Sequence, residues 1–293
     1  MGGVRIPDQR MPFVGSRALA EGRLTPYELR SSHRRVFPDV YVPDAGPLEP
    51  RILVHAAFLW APPGSVIGGL GAALLHRERW YAPDAVPREI DVYSVGTLRP
   101  APGVRLRRLG RHLPDGHVVT IGGVRVTAAA RTAVDVGRWE DDDDTAIAKI
   151  DSICRRARTD PHSIVGVADQ MARAHGVRRV RKLLRWCDAR ADSPRETWLR
   201  LLLTRAGLPA PVPQLVIRNE FGAKIATADL GYEEQKVAIF YDSELHRQKS
   251  NWEFDAWVNA QLIERGWLPL RVTAQMMRSP LMVVRQVGAA LRR

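Results

Sequence analysis

Cysteine is nearly absent from this chain of 293 residues, with only Cys154 and Cys187, far apart and without a Cys-x-x-Cys or adjacent histidine pattern. That spacing excludes a disulfide framework and a structural zinc site, and both residues read as ordinary buried thiols. Long hydrophobic runs are missing too: no stretch approaches the roughly 18 apolar residues of a membrane span, and Met1 to Arg10 is polar, without a signal-like core. The expectation is a soluble, cytoplasmic protein with no membrane partner. Lysine does not occur before Lys149, so the basic character of the first half is carried by arginine, the side chain suited to bidentate phosphate contacts.

What is there in excess is positive charge. The formal net charge is +12, and residues 1–190 hold 30 Lys and Arg against 21 Asp and Glu, so most of the excess lies in the first two thirds. Such an imbalance is the electrostatic footprint of a nucleic-acid binder, because each neutralised phosphate releases counterions. A proteome rich in arginine would produce the same balance for solubility alone. With 45% hydrophobic residues the chain can bury a large core, and its length favours several domains over one.

Near the start, Thr25-Pro26-Tyr27-Glu28 places an N-cap, a first-turn proline and an N3 glutamate, which predicts a helix from Thr25. His33, Arg34 and Arg35 follow, then two short β-type runs around Pro38-Asp39. A helix joined to a basic hairpin is the pattern of a winged helix-turn-helix, and it offers Arg30, Arg34 and Arg35 as DNA contacts; a generic surface hairpin has the same pattern. Residues 51–60 and 68–76 suit two packed helices, the second ending in His76, which reads as a packing or capping histidine. Ile90 to Tyr93 and Val104 to Arg107 alternate as half-solvated strands, and Val124 to Thr127 leads into a helix at Arg131 to Val136. Taken in order, these segments resemble the AbiEi-like abortive-infection antitoxin family. That resemblance implies DNA as a partner and, beyond it, a protein partner of the defence or toxin-antitoxin type.

The five-acid run Glu140 to Asp144 reads as a solvated helix N-terminus, the alternative being a metal site. From Ala146 to Arg190 the chain reads as helical and basic. Arg178, Arg181 and Lys182 gather toward one side of a helix that could lie along a phosphate backbone or simply face solvent. The organisation expected is a winged-helix-like unit over 1–50, a mixed α/β region over 51–145, a basic helical region over 146–190 and a last domain over 191–293.

That last domain opens with a capping box at Ser193-Pro194-Arg195-Glu196 and continues as helix, three strands, helix, strand, helix. Ser193 to Glu196, Ala228-Asp229-Leu230, Val237 to Arg247, Arg265-Gly266-Trp267 and Leu270 to Thr273 together resemble a domain of unknown function related to very-short-patch repair endonucleases, within the PD-(D/E)xK superfamily. The resemblance implies a restriction-endonuclease-like α/β/α domain with a central mixed sheet, so the fold class expected of the whole is a multidomain α+β and α/β protein. It also implies metal-dependent hydrolysis of DNA, in repair or defence, with Mg or Mn as cofactor.

Phosphodiester hydrolysis needs a hard cation held by oxygen ligands, which activates water and offsets charge on the phosphate. Asp229 and Asp242, at the ends of neighbouring strands, could bring two carboxylates to one sheet edge. Within the resemblance Asp229 matches the principal ligand and Asp242 an acid that follows it. Phe240 stands where the domain family carries Glu; very-short-patch repair nucleases have Phe there, a backbone carbonyl next to it as ligand and a nearby histidine assisting. The carbonyl of Tyr241 and the side chain of His246 would fill those roles, His246 as base. Glu196 is a further catalytic candidate, although the capping box already accounts for it. Asp242 and His246 are also what a loop after a buried strand carries. Arg247 and Lys249 complete the candidate DNA contacts. The alternative function is a non-catalytic DNA-binding regulator on a degenerate nuclease fold, which the loss of Glu at position 240 favours.

Overall fold

The chain divides into two compact units, one comprising Met1–Trp139 and Arg156–Val177, the other Glu140–Arg155 and Arg178–Arg293. The computed structural model describes residues 11–76, 89–95, 99–109, 112–242 and 252–293, with the side chains of 252–255 outside the description. Eleven α-helices and three sheets, two of them mixed, make up the described residues, a multidomain α+β and α/β architecture. Among the described residues no helix is long and apolar enough to cross a membrane.

The first unit begins with β1 (Phe13–Val14), α1 (Gly15–Ala20), α2 (Pro26–Ser31), β2 (His33–Phe37) and β3 (Val40–Pro43). The strands form a small antiparallel sheet in the order β1-β3-β2. Helix α2 starts where its capping box dictates: the Thr25 hydroxyl accepts from the Glu28 N–H, and the Glu28 carboxylate accepts from the Thr25 N–H at 2.8 Å. The hairpin reverses through Asp39, whose φ of 59° lies in the left-handed region that a short aspartate tolerates.

A second sheet follows: α3 (Pro50–Trp60), β4 (Val66–Ile67), α4 (Gly69–Leu75), β5 (Ile90–Val95), β6 (Val104–Leu109), β7 (Val118–Ile121), β8 (Val124–Thr127) and α5 (Ala129–Trp139). Its order is β6-β5-β4-β8-β7, with β5 parallel to β6 and β4 parallel to β8. The central strand is the two-residue β4, buried on both sides; Ile67 packs with Val54, Ile90 and Val126 in the core of this unit. His76, the C-cap residue of α4, donates its Nε2–H to the Thr127 carbonyl of β8 at 2.8 Å and so ties the end of the helix to the sheet, a packing role. At the start of α4, Gly69 has a φ of +53°, and a Cβ there would stand 2.4 Å from Asp91 Oδ2 and 3.0 Å from the Trp139 ring. Gly69→Ala is therefore expected to destabilise this unit by about 2–4 kcal/mol, combining the left-handed conformation with overpacking, and a denaturant titration would measure it.

The first unit also holds α7 (Pro161–Gln170); in the second, residues of α6 (Asp143–Ala157) and α8 (Val177–Leu184) pack on α9 (Pro194–Arg205) through Ala146, Ile147, Leu183 and Leu201. Beyond α9 come β9 (Val212–Arg218), β10 (Lys224–Tyr232), β11 (Val237–Asp242), α10 (Trp252–Glu264), β12 (Leu268–Thr273) and α11 (Pro280–Ala290). The sheet order is β12-β11-β10-β9, antiparallel except for the parallel pair β11 and β12. Leu199 and Leu203 of α9 and Val283 and Val287 of α11 cover one face; Val258 and Leu262 of α10 cover the other. The result is a three-layer α/β/α sandwich.

The acidic run before α6 is a helix N-terminus, as its composition suggests. Asp142 Oδ2 accepts from the Thr145 N–H at 2.7 Å. Asp143 pairs with Arg179, Asp144 with Arg205, and Glu140 with Lys149. Cys154 and Cys187 form no disulfide, and burial raises the pKa of Cys187 well above its ordinary value.

Candidate functional site

The site is built where β10 and β11 part. Their ladder runs over Leu230–Tyr232 of β10 and stops at Leu230, while β10 continues to pair with β9 from Lys224 onward. At the parting point a side chain takes over from the backbone: the Tyr241 N–H donates to Asp229 Oδ2 at 2.6 Å. Side-chain alternation also changes there. Ala226 and Ala228 belong to the core beneath α10, whereas Leu230 and Tyr232 belong to the core beneath α9 and α11. An acid at this position thus replaces a ladder hydrogen bond, and its other oxygen has no partner among the described residues.

Glu196 approaches from the first turn of α9. It is buried, and its Oε2 accepts from the Asp192 N–H at 2.9 Å and from Gln214 Nε2 at 2.8 Å. The Ser193 hydroxyl accepts from the Glu196 N–H, so the N-cap forms as expected, but the reciprocal half of the capping box does not: the Glu196 carboxylate takes the Asp192 N–H and Gln214 in place of the Ser193 N–H. Gln214 has a φ of 53°, a left-handed glutamine inside a strand. Such a conformation costs about 1–3 kcal/mol and persists where the surroundings dictate it, often at functional sites. Asp242, at the end of β11, accepts at Oδ1 from Arg271 Nη1 (3.0 Å), on the neighbouring strand. The Arg195 guanidinium lies 5.7 Å from the centre of the Tyr241 ring.

The electrostatics mark Asp229. Desolvation pushes its pKa up to about 6, against the pull of the Tyr241 N–H, and the negative charges of Glu196, Asp242 and Asp192 push in the same direction as burial. Two further sequence-predicted acids, Glu196 and Asp242, are therefore brought within electrostatic reach of Asp229. Among the described residues no three His, Cys, Asp or Glu side chains stand close enough together to hold an ion by themselves. A cation here needs the Tyr241 carbonyl and water beside the carboxylates, and on that donor set the residues fit a hard, oxygen-seeking ion. Protons compete for Asp229, so divalent-ion affinity is expected to fall about tenfold per pH unit below pH 6 and to level off above it; calorimetric titration of Mn between pH 5 and 8 would measure that slope.

Phe240, the departure from the domain family, packs in the core beneath α10. His246, Arg247 and Lys249 lie outside the described residues. Arg30, Arg34 and Arg35 are exposed on α2 and β2 of the first unit, and Arg178, Arg181 and Lys182 are exposed on α8 of the second. Sequence reasoning missed Gln214, Arg271 and Arg195. Arg271 alone left a signal, a charged residue inside the apolar strand Leu268–Thr273.

No family model matches the chain. Over 183 residues it is 30% identical to uncharacterized proteins of Mycobacterium tuberculosis, from strains CDC 1551 and H37Rv. The alignment covers 57% of this chain, and the chain spans 62% of the length of these curated relatives.

Proposed function

We propose that the chain is a metal-dependent DNA endonuclease of the very-short-patch-repair-like type, in repair or defence, with Mg or Mn as cofactor. The observation that carries this reading is Asp229: a carboxylate where two neighbouring strands part, its pKa pushed up to about 6 among further acids, with one oxygen held by the Tyr241 N–H and the other without a partner among the described residues. Asp229, Asp242 and the Tyr241 carbonyl would hold the ion, which when bound polarises the phosphate and lowers the pKa of water. Arg271 orients Asp242, and Gln214 orients Glu196. His246, four residues beyond Asp242 in the sequence, takes the proton from the attacking water. DNA affinity comes from Arg30, Arg34, Arg35, Arg178, Arg181, Lys182, Arg247 and Lys249. The setting of this reading is a cytoplasmic protein whose further partner is of the toxin-antitoxin or defence type.

Titrating Mg and Mn into the full chain, followed by incubation with plasmid and single-stranded DNA, tests the proposal. Ion binding accompanied by nicking is the expected result. Absence of cleavage in both metals, persisting when Phe240→Glu restores the family's acid, would refute it. The second reading, a DNA-binding regulator on a retired nuclease fold, is favoured by Phe240 packing into the core. It requires duplex binding without metal, unchanged by Asp229→Ala.

A further inference from the structure

A cavity of about 470 Å³ opens in the first unit, within the range of roughly 300–1,000 Å³ typical of small-molecule sites. Four arginines, Arg107, Arg108, Arg131 and Arg138, line it together with Tyr93 and His112, and among the described residues no acidic side chain does. Its floor is pre-organised. Arg131, 5% exposed, donates Nε to Asp135 Oδ2 (2.9 Å), Nη2 to the Tyr93 hydroxyl (3.1 Å) and Nη1 to His117 Nδ1 (3.1 Å). Because a guanidinium only donates, His117 carries its proton on Nε2, which donates to Gln170 Oε1 at 2.6 Å. The Tyr93 hydroxyl in turn donates to Asp135 Oδ2 at 2.7 Å.

The charges do not cancel. Asp135 is shared by Arg131 and Arg138, and Asp91 holds Arg107 through Nε at 2.8 Å. Arg107 also stacks on Trp139, 3.7 Å from the ring centre, and among the described residues neither Nη group has a hydrogen-bond partner. Arg108 is exposed and has no hydrogen-bond or ion-pair partner among the described residues. Four guanidiniums against two buried carboxylates leave about two positive charges, which matches a phosphate monoester in charge and in its fit to guanidinium forks.

We infer that this pocket binds a phosphate monoester, carried by a free mononucleotide or by the 5′ end of a nucleic-acid strand. The inference rests on the first unit alone and stands whether or not Asp229 supports cleavage. Calorimetry on the full chain at fixed salt tests it with a deoxynucleoside 5′-monophosphate, the matching nucleoside, and succinate as a dicarboxylate control. The monophosphate should bind at least tenfold more tightly than either control. Arg108→Gln should weaken it several-fold with an unchanged melting temperature, and Arg107→Gln should weaken it further. A 5′-phosphorylated oligonucleotide binding more tightly than its 5′-hydroxyl counterpart assigns the ligand to strand ends; equal binding of the two, with the mononucleotide still bound, assigns it to free nucleotide. No binding of the monophosphate, equal binding of the nucleoside, tighter binding of succinate, or indifference to both arginine variants would overturn the inference.

Discussion

Asp229→Asn is expected to abolish the proposed metal-dependent DNA cleavage while making the metal-free protein more stable. The first half follows from the proposed role. Metal-ion catalysis supplies several kcal/mol of transition-state stabilisation, and about 4 kcal/mol at 1.36 kcal/mol per tenfold is roughly a thousandfold in rate. The second half follows from linkage. The folded-state pKa of Asp229 is raised from 3.8 to about 6, so the folded chain binds this proton more tightly than the unfolded chain does. The charged carboxylate consequently costs stability above about pH 6, and the cost is relieved as pH falls from 6 toward 4. A neutral amide keeps the acceptor for the Tyr241 N–H and removes the charge. Allowing for partial exposure, the gain at pH 7 to 8 is about 1–2 kcal/mol, vanishing near pH 4. Thermal melts of the two proteins across that range check the sign. A variant less stable than wild type at pH 8 would mean that the acid is a structural strand-end residue, whatever the cleavage assay shows.

The second large effect is structural. Asp151 in α6 is 1% exposed and gathers the second unit's helices: Oδ1 accepts from the Asp188 N–H (2.7 Å), and Oδ2 accepts from the Thr197 hydroxyl (2.9 Å) and Arg200 Nη2 (2.8 Å). Burial raises its pKa, and the Arg200 charge with these donors opposes the rise. Arg200, 8% exposed, already has a buried Nε without a partner. Asp151→Ala would strand that guanidinium, a hydroxyl and a backbone N–H at once. Removing one member of a buried ion pair costs roughly 3–5 kcal/mol, which for a unit of this size lowers the melting temperature by about 10 °C or more. Calorimetry would resolve it, and a loss below about 1 kcal/mol would show that water reaches the network. Replacing Asp and Arg together by Asn and Met should recover part of the loss, because the uncompensated charge goes with its partner.

Much of the secondary structure was legible because it is local. The N-cap sequences at Thr25 and Ser193 each combine a hydroxyl, a proline and a glutamate within four residues, and α2 and α9 begin there, the full capping box forming at Thr25 and only its N-cap half at Ser193. The strands of the last sheet were readable as apolar runs between turns, and β9, β10, β11 and β12 occupy them. The two-residue β4 was not, since no periodicity can show in two residues, yet it is the middle strand of its sheet.

The sequence by itself determined where helices start, which runs become strands, and which acids are candidates for chemistry, because capping, turn chemistry and apolar periodicity are short-range. Tertiary structure alone decided that β10 and β11 separate at Asp229, that Gln214 adopts a left-handed conformation to reach Glu196, and that β12 returns parallel to β11 with Arg271 against Asp242. Only folding brought Tyr93, Arg107 and Arg131 to one cavity, since their contacts join residues tens of positions apart. Register and desolvation arise when distant segments pack, and those two decide which carboxylate is perturbed and which arginines are left with charge to spare.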